Sequence, residues 1–179
     1  MTRQAAVFLD RDGTVIVDAG YPSDPAQVQL LPSAAAGLAR LKQAGFKLVL
    51  ISNQSGIGRG LVRPADAERV HDRLVDDLAA AGVTLDGAYY CPHAPADACA
   101  CRKPSPELIF RAARELEIDP ARSFMVGDRE SDLEAGRRAG CRTILFGDAQ
   151  PAGLVPDHVA ASWDDVCDFV ERVRHTAAA

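Results

Sequence analysis

The sequence predicts an α/β fold built on a doubly wound, mostly parallel sheet. Short runs of the kind that form buried strands recur at Val7–Leu9, Phe46–Ile51, Ser123–Val126 and Thr143–Phe146. Continuous apolar runs suit strands covered on both faces. Between them lie segments with helical spacing, such as Leu38 and Leu41, and then Val70, Leu74 and Leu78. Strand and helix therefore alternate, which implies parallel pairing through right-handed crossovers.

Bulk properties narrow the class. A chain of 179 residues suits one domain, residues 1–179, with a sizeable core. The formal net charge of -5 argues against nucleic-acid binding. No apolar run is long enough to cross a membrane. Met1-Thr2-Arg3-Gln4 leads straight into a strand, so no signal peptide is expected and a reducing cytoplasm is. A monomer is the expected state.

The elements follow in order. Val7–Leu9 ends in Asp10-Arg11-Asp12-Gly13-Thr14, with Gly13 suited to a sharp turn. Ser33 is placed to cap a helix that Gly45 ends. The second strand runs into Ser52-Asn53-Gln54-Ser55-Gly56-Ile57-Gly58-Arg59-Gly60, read either as a flexible loop or as backbone that approaches a ligand closely. The spacing there is not that of a dinucleotide-binding turn. Pro64 opens the next helix at its favoured first position and Gly82 closes it, with His71 read as solvated. Tyr89 and Tyr90 end a short third strand at Cys91. Ser105-Pro106-Glu107 starts a helix with a capping serine. The fourth strand ends in Gly127-Asp128, and the helix after it stops at Gly140. The remainder, through Val159 and a helix from about Ser162 to Val173, reads as an edge strand and its cover. The segments Thr14–Phe46 and Ser52–Tyr89 each hold one helix, which leaves no room for a separate cap domain.

In the simplest doubly wound order, strand one lies beside strand four, which brings Asp10, Asp12 and Asp128 to one crevice at a strand-order reversal. Asp10 and Asp12 are close enough to repel, a geometry that means a bound metal, a shared proton, or both. Three converging carboxylates suit Mg²⁺, a hard octahedral ion that pairs with phosphate oxygens. A second cluster, Cys91, His93, Cys99 and Cys101, has the composition of a closed structural zinc site. The alternative there is three free thiols in a proline-stiffened loop.

The stretch D-x-D-G-T after the first strand resembles the first motif of the haloacid dehalogenase superfamily. That resemblance implies that Asp10 is a nucleophile and Asp12 a general acid/base. It also implies that Mg²⁺ is held by Asp10, Asp128 and the backbone carbonyl of Asp12. Ser52 resembles the second motif and Lys103, before Pro104, the third. Asp132 completes G-D-x-x-x-D, as an outer support of the metal or as an acid favoured by a helix N-terminus. With S-N-Q-S-G-I-G-R-G and C-P-H…C-x-C-R-K-P, the chain is similar to the heptose-bisphosphate phosphatases of this superfamily, and less closely to its histidinol-phosphate phosphatases. The implied fold is of the Rossmann-like, haloacid dehalogenase type without a cap, with a zinc-stapled loop at about 91–101. The implied substrate is a small phosphorylated sugar, touched by Gly13, Ser52, Asn53, Gln54, Arg59, Arg102 and Lys103. Arg59 and Arg102 suit a second, distal phosphate. Asp18 and Asp24 are the acids that a cationic histidinol phosphate would need instead. A further expectation is an inactive zinc-stapled interaction module, which intact Asp10 and Asp12 disfavour.

Overall fold

A computed structural model describes residues 3–148 and 153–177. Its sheet has six parallel strands: β1 (Ala6–Leu9), β2 (Lys47–Asn53), β3 (Gly87–Cys91), β4 (Phe124–Gly127), β5 (Arg142–Phe146) and β6 (His158–Ala160). Their order is β3-β2-β1-β4-β5-β6. Leu9 of β1 stands opposite Leu50 of β2 on one side and Val126 of β4 on the other. The chain builds one half of the sheet outward from β1, then returns to build the other half. The reversal falls between β1 and β4, where α/β sheets open a crevice at their carboxyl ends.

Among the described residues there are six helices: α1 (Ala34–Gln43), α2 (Ser55–Gly58), α3 (Pro64–Ala80), α4 (Glu107–Glu115), α5 (Glu130–Ala139) and α6 (Trp163–Ala177). Side chains alternate across each strand, so every buried strand feeds two cores. Val7, Leu9, Leu48, Leu50 and Val126 pack with Leu38 of α1, Leu74 of α3 and Trp163 of α6. Ala6, Phe8, Val49, Ile51 and Met125 pack on the other face with Ile109 of α4 and Ala135 of α5. Each fully buried large apolar side chain contributes about 1.5–3 kcal/mol, so the central strands are the stablest part of the frame.

Several local expectations are corrected. Ser33 stands at the start of α1 with φ 59° and makes no side-chain cap bond; the turn is closed by backbone instead, with Ala34 N donating to Leu31 O at 3.0 Å. Pro106, not Ser105, occupies the cap position of α4, and the Ser105 hydroxyl accepts from Glu107 N at 3.3 Å. The glycine-rich stretch after β2 is not a flexible loop but forms α2. A Cβ on Gly58 would stand 2.4 Å from Ala94 N, so the close backbone approach is to residues 92–94. His71 is half-buried and its Nδ1 lies 2.7 Å from the Tyr90 hydroxyl, because α3 lays that position against β3. Among the described residues no inserted domain stands over the sheet: β1 to β2 holds the 3₁₀ turn Pro25–Gln27 and α1, and β2 to β3 holds α2 and α3. No helix among them is long and apolar enough to cross a membrane.

Helix α6 seals α1 through Trp163, whose indole Nε1 donates to Thr14 O at 3.0 Å. A Cβ on Gly37 of α1 would lie 2.8 Å from Trp163 Cβ. Gly37→Ala should therefore destabilise the fold by about 1 kcal/mol or more, with overpacking outweighing the helix preference of alanine. Denaturant unfolding with an unchanged m-value checks this, and equal or greater stability would contradict the packing.

Candidate active site

The site is built on the carboxyl ends of β1, β2 and β4. Asp10 follows β1, and its N–H continues the ladder by donating to Val126 O at 2.9 Å. The next residues fold back at once: Val15 N and Ile16 N both donate to Arg11 O, at 2.9 and 3.0 Å. Gly13 takes φ 81°, and a Cβ there would stand 2.4 Å from Asp128 Oδ2. Glycine is thus required twice at this position, by the backbone and by the carboxylate beneath it.

Lys103 comes from the loop that follows the cysteine cluster, and it is buried. Its Nζ lies 2.7 Å from Asp10 Oδ1, 2.7 Å from Asp132 Oδ1 and 2.6 Å from Ile51 O. Burial pulls its pKa down, but Asp10 and Asp132 outweigh this and hold the ammonium charged. Asn53, at the end of β2, fixes the Lys103 backbone: its Nδ2 donates to Lys103 O at 3.1 Å and its Oδ1 accepts from Lys103 N at 3.0 Å. Asp132 also accepts from Arg129 N at 3.0 Å, at the start of α5.

Carboxylate oxygens of Asp10, Asp128 and Asp132 lie within 4.8 Å of one another. Burial, then Asp10 and Asp132, push Asp128 up to about 6. Its Oδ1 is buried with no hydrogen-bond partner among the described residues. An orphaned carboxylate oxygen in an acid-rich pocket fits a hard divalent cation.

Asp12 stands beside this group. Burial raises its pKa, opposed by Arg11 and Gln54. Gln54 Nε2 donates to Asp12 Oδ2 and to Ser52 Oγ, each at 2.9 Å. A cleft of about 300 Å³ lies in front of these residues, lined by Asp10, Asp12, Ser52, Asn53, Gln54, Arg102 and Lys103 from the expected set. Arg59 does not line it; it ends α2 and is exposed. Asp18, one of the two acids considered for a cationic substrate, lines it; Arg129 and Tyr21 line it without having been expected there, and Arg129 Nη2 pairs with Asp18 Oδ2 at 2.8 Å. The signal for Arg129 was its place directly after Gly127-Asp128, in the loop at the switch point. Asp24 does not line the cleft; its Oδ1 accepts from Ala26 N at 2.9 Å. Arg102 turns a buried Nη1 with no hydrogen-bond partner among the described residues. A larger cavity of about 490 Å³ lies at the opposite end of the sheet, between Phe46, Phe124 and Arg142, away from this chemistry.

Beside the cleft, Cys91 Sγ lies 3.5 Å from Cys99 Sγ and 3.6 Å from His93 Nδ1. Cys101 Sγ lies 3.3 Å from His93 Nδ1 and 3.7 Å from Cys99 Sγ. Ligands at tetrahedral zinc–sulfur and zinc–nitrogen distances stand about 3.5–3.8 Å apart, so the set fits a closed four-ligand site. The cysteines form no disulfide.

Comparison with known proteins agrees with this geometry. The family model described as "HAD-hyrolase-like" matches residues 100–166. The D-glycero-beta-D-manno-heptose-1,7-bisphosphate 7-phosphatase of Helicobacter pylori strain 26695 is 41% identical over 174 residues, covering 97% of this chain and 98% of that protein. The protein of the same name from strain J99 is 44% identical over 147 residues, covering 82% and 84%. The crystal structure of D,D-heptose 1,7-bisphosphate phosphatase from B. bronchiseptica, complexed with magnesium and phosphate, superposes with a TM-score of 0.84 at 34% identity, over 95% of this chain and 99% of that one.

The cysteine cluster gives a metal test independent of any turnover. Reduced protein should take up one cobalt(II) per chain with the absorption of a tetrahedral thiolate site. Cys99→Ser should weaken uptake by more than the ~10–100-fold typical of losing an outer-shell partner. An unchanged titration in that variant would remove Cys99 from the site.

Proposed function

The chain belongs to the D-glycero-beta-D-manno-heptose-1,7-bisphosphate 7-phosphatases among the HAD-like hydrolases, and on that premise we propose that it removes the 7-phosphate of D-glycero-D-manno-heptose 1,7-bisphosphate with Mg²⁺. The observation that carries this reading is the contact of Lys103 with Asp10 at the switch point, beside an orphaned Asp128 oxygen.

Asp10 is the nucleophile. Its carboxylate attacks phosphorus in line, and the bond from phosphorus to the sugar oxygen breaks. Asp12 gives its proton to that departing oxygen. Water then attacks the aspartyl phosphate, Asp12 takes the water proton, and phosphate leaves with Asp10 restored. Lys103 pairs with Asp10 and faces the transferring group, and Ser52 and Gly13 would receive its oxygens. Asp10, Asp128 and the Asp12 carbonyl would hold the magnesium, which supplies positive charge to the phosphoryl oxygens. Asp132 stands behind Lys103. Cys91, His93, Cys99 and Cys101 would hold a structural zinc that fixes the loop carrying Arg102 and Lys103. In this reading the chain is one phosphatase domain acting as a cytoplasmic monomer.

The mouth of the cleft supports a bisphosphate over histidinol phosphate. Of the two acids that a cationic amine would need, Asp24 is spent on a turn and Asp18 on Arg129. Arg102 keeps an unpartnered donor. With Arg59 outside the cleft lining, Arg102 and Arg129 are the arginines available to a distal phosphate.

Asp10→Asn should cut turnover at least ~10³-fold while the fold persists. Near-normal activity in that variant would sink the mechanism. Arg102→Ala should lower kcat/KM for the heptose bisphosphate by ~10–150-fold, the loss of one charge-assisted contact, and hardly affect p-nitrophenyl phosphate. Wild-type preference for histidinol phosphate over either bisphosphate anomer would overturn the substrate and leave the chemistry standing.

A further inference from the structure

Arg11 is 1% exposed, and it is not part of the cleft wall. It lines a separate cavity of about 220 Å³ behind the cleft, with Ile57, Pro64, His71 and Tyr90. Its side chain ends on the neighbouring carboxylate. Nε lies 3.2 and 3.1 Å from Asp12 Oδ1 and Oδ2, and Nη2 donates to Oδ1 at 3.0 Å. The same Nη2 donates to Gln54 Oε1 at 2.9 Å, and Gln54 Nε2 returns a bond to Asp12 Oδ2 at 2.9 Å. The three side chains close a ring of hydrogen bonds. Behind it the guanidinium lies 6.0 Å from the centre of the Tyr90 ring.

Burying a cation is expensive, and apolar residues of similar volume usually serve packing as well or better. A cross-link between distant elements would be one reason to keep the charge. The bond to Gln54 does join the β1 loop to the end of β2, but the fork itself joins consecutive residues and ties no two elements together. What the fork does fix is the direction of a single carboxylate. Asp12 still lines the cleft, while its back is held by Arg11 and its flank by Gln54. A cation there also favours the carboxylate form left after a proton is given up, and a bidentate fork restricts rotation in a way a lone ammonium does not.

We propose that Arg11 and Gln54 are positioning residues that clamp Asp12 in the orientation from which it exchanges protons with the leaving oxygen and the attacking water. This deepens the phosphatase reading and rests on it. In the first step the phosphorus–oxygen bond to the sugar breaks, and the Asp12 proton passes to that oxygen. In the second, water bonds phosphorus, its proton passes to Asp12, and the bond from phosphorus to Asp10 breaks. Losing the clamp impairs both proton transfers while leaving the attack of Asp10 intact.

The test uses two esters that differ in their need for a proton. A sugar alkoxide leaves poorly without one, whereas 2,4-dinitrophenolate needs none. Arg11→Met and Arg11→Lys are compared with wild type. On the heptose bisphosphate kcat/KM should fall ~10²-fold, the size of one general-acid contribution, and on 2,4-dinitrophenyl phosphate by less than roughly 3-fold. Rapid mixing with the dinitrophenyl ester should also show a burst of one dinitrophenolate per chain, since water attack has lost its aimed base. Parallel losses on both esters without a burst overturn the clamp and leave the network a purely structural role. If Arg11→Met does not fold, the charge-retaining Arg11→Lys decides, because a lone ammonium cannot form the fork. A wild type that hydrolyses neither ester contradicts the phosphatase reading itself; wild-type turnover with parallel losses contradicts only the clamp.

Discussion

One buried ammonium organises the carboxyl end of the sheet. Lys103 Nζ meets Asp10 after β1, the Ile51 carbonyl of β2 and Asp132 of α5, all at 2.6–2.7 Å. Removing a partner from such a group strands a charge away from water, at about 3–5 kcal/mol. The three elements are therefore held in register at the point where their side chains meet. Lys103 reaches this position from a loop without regular structure, so its aim depends on two braces. One is the amide of Asn53, which grips both polar groups of the Lys103 backbone. The other is the cysteine and histidine cluster two residues upstream. A loop that long, poor in apolar contacts, would otherwise carry the lysine loosely.

Charge balance at the cleft follows from the same lysine. Three carboxylates crowd around Lys103, and burial, then Asp10 and Asp132, push Asp128 up to about 6 where a lone aspartate would be near 3.8, against the pull of Arg129. The chain as a whole is acidic, with 25 acids against 20 bases. An anionic substrate therefore meets an unfavourable long-range field and depends on local cations: Lys103 at the base of the cleft, Arg102 and Arg129 nearer its mouth.

The frame was legible in the sequence because parallel strands must be apolar on both faces, and Val7–Leu9 or Phe46–Ile51 satisfy that over their whole length. The meeting of Asp10 with Asp128 was legible for a related reason, since strand order fixes which loops share a crevice. What the sequence did not disclose depends on contacts between loops. Ser33 has the composition of a side-chain cap, but its backbone entered the left-handed region and the turn closed without the hydroxyl. Arg59 lies in the expected loop, yet the turn of α2 carries it away from the cleft. Arg129 was overlooked because an arginine at a helix start has no periodic signature. Arg11 drew no role because nothing local foretells that a charged side chain will be buried beneath its neighbour.

The sheet order also dictates when the site can exist during synthesis. β1 is the first strand made and the central one in the finished sheet. Its partner β2 follows about forty residues later, but Val7 waits for Phe124 on the other side. A nascent chain that has released only its first half carries β1 with one edge unpaired, apolar on both faces and open to adventitious strand addition. The same delay withholds Asp128 and Asp132 from Asp10, so the cleft assembles only when the last third of the chain arrives. A ribosome stalled before β4 would hold a half-sheet with Asp10 and Lys103 made but with Asp128 and Asp132 still to come.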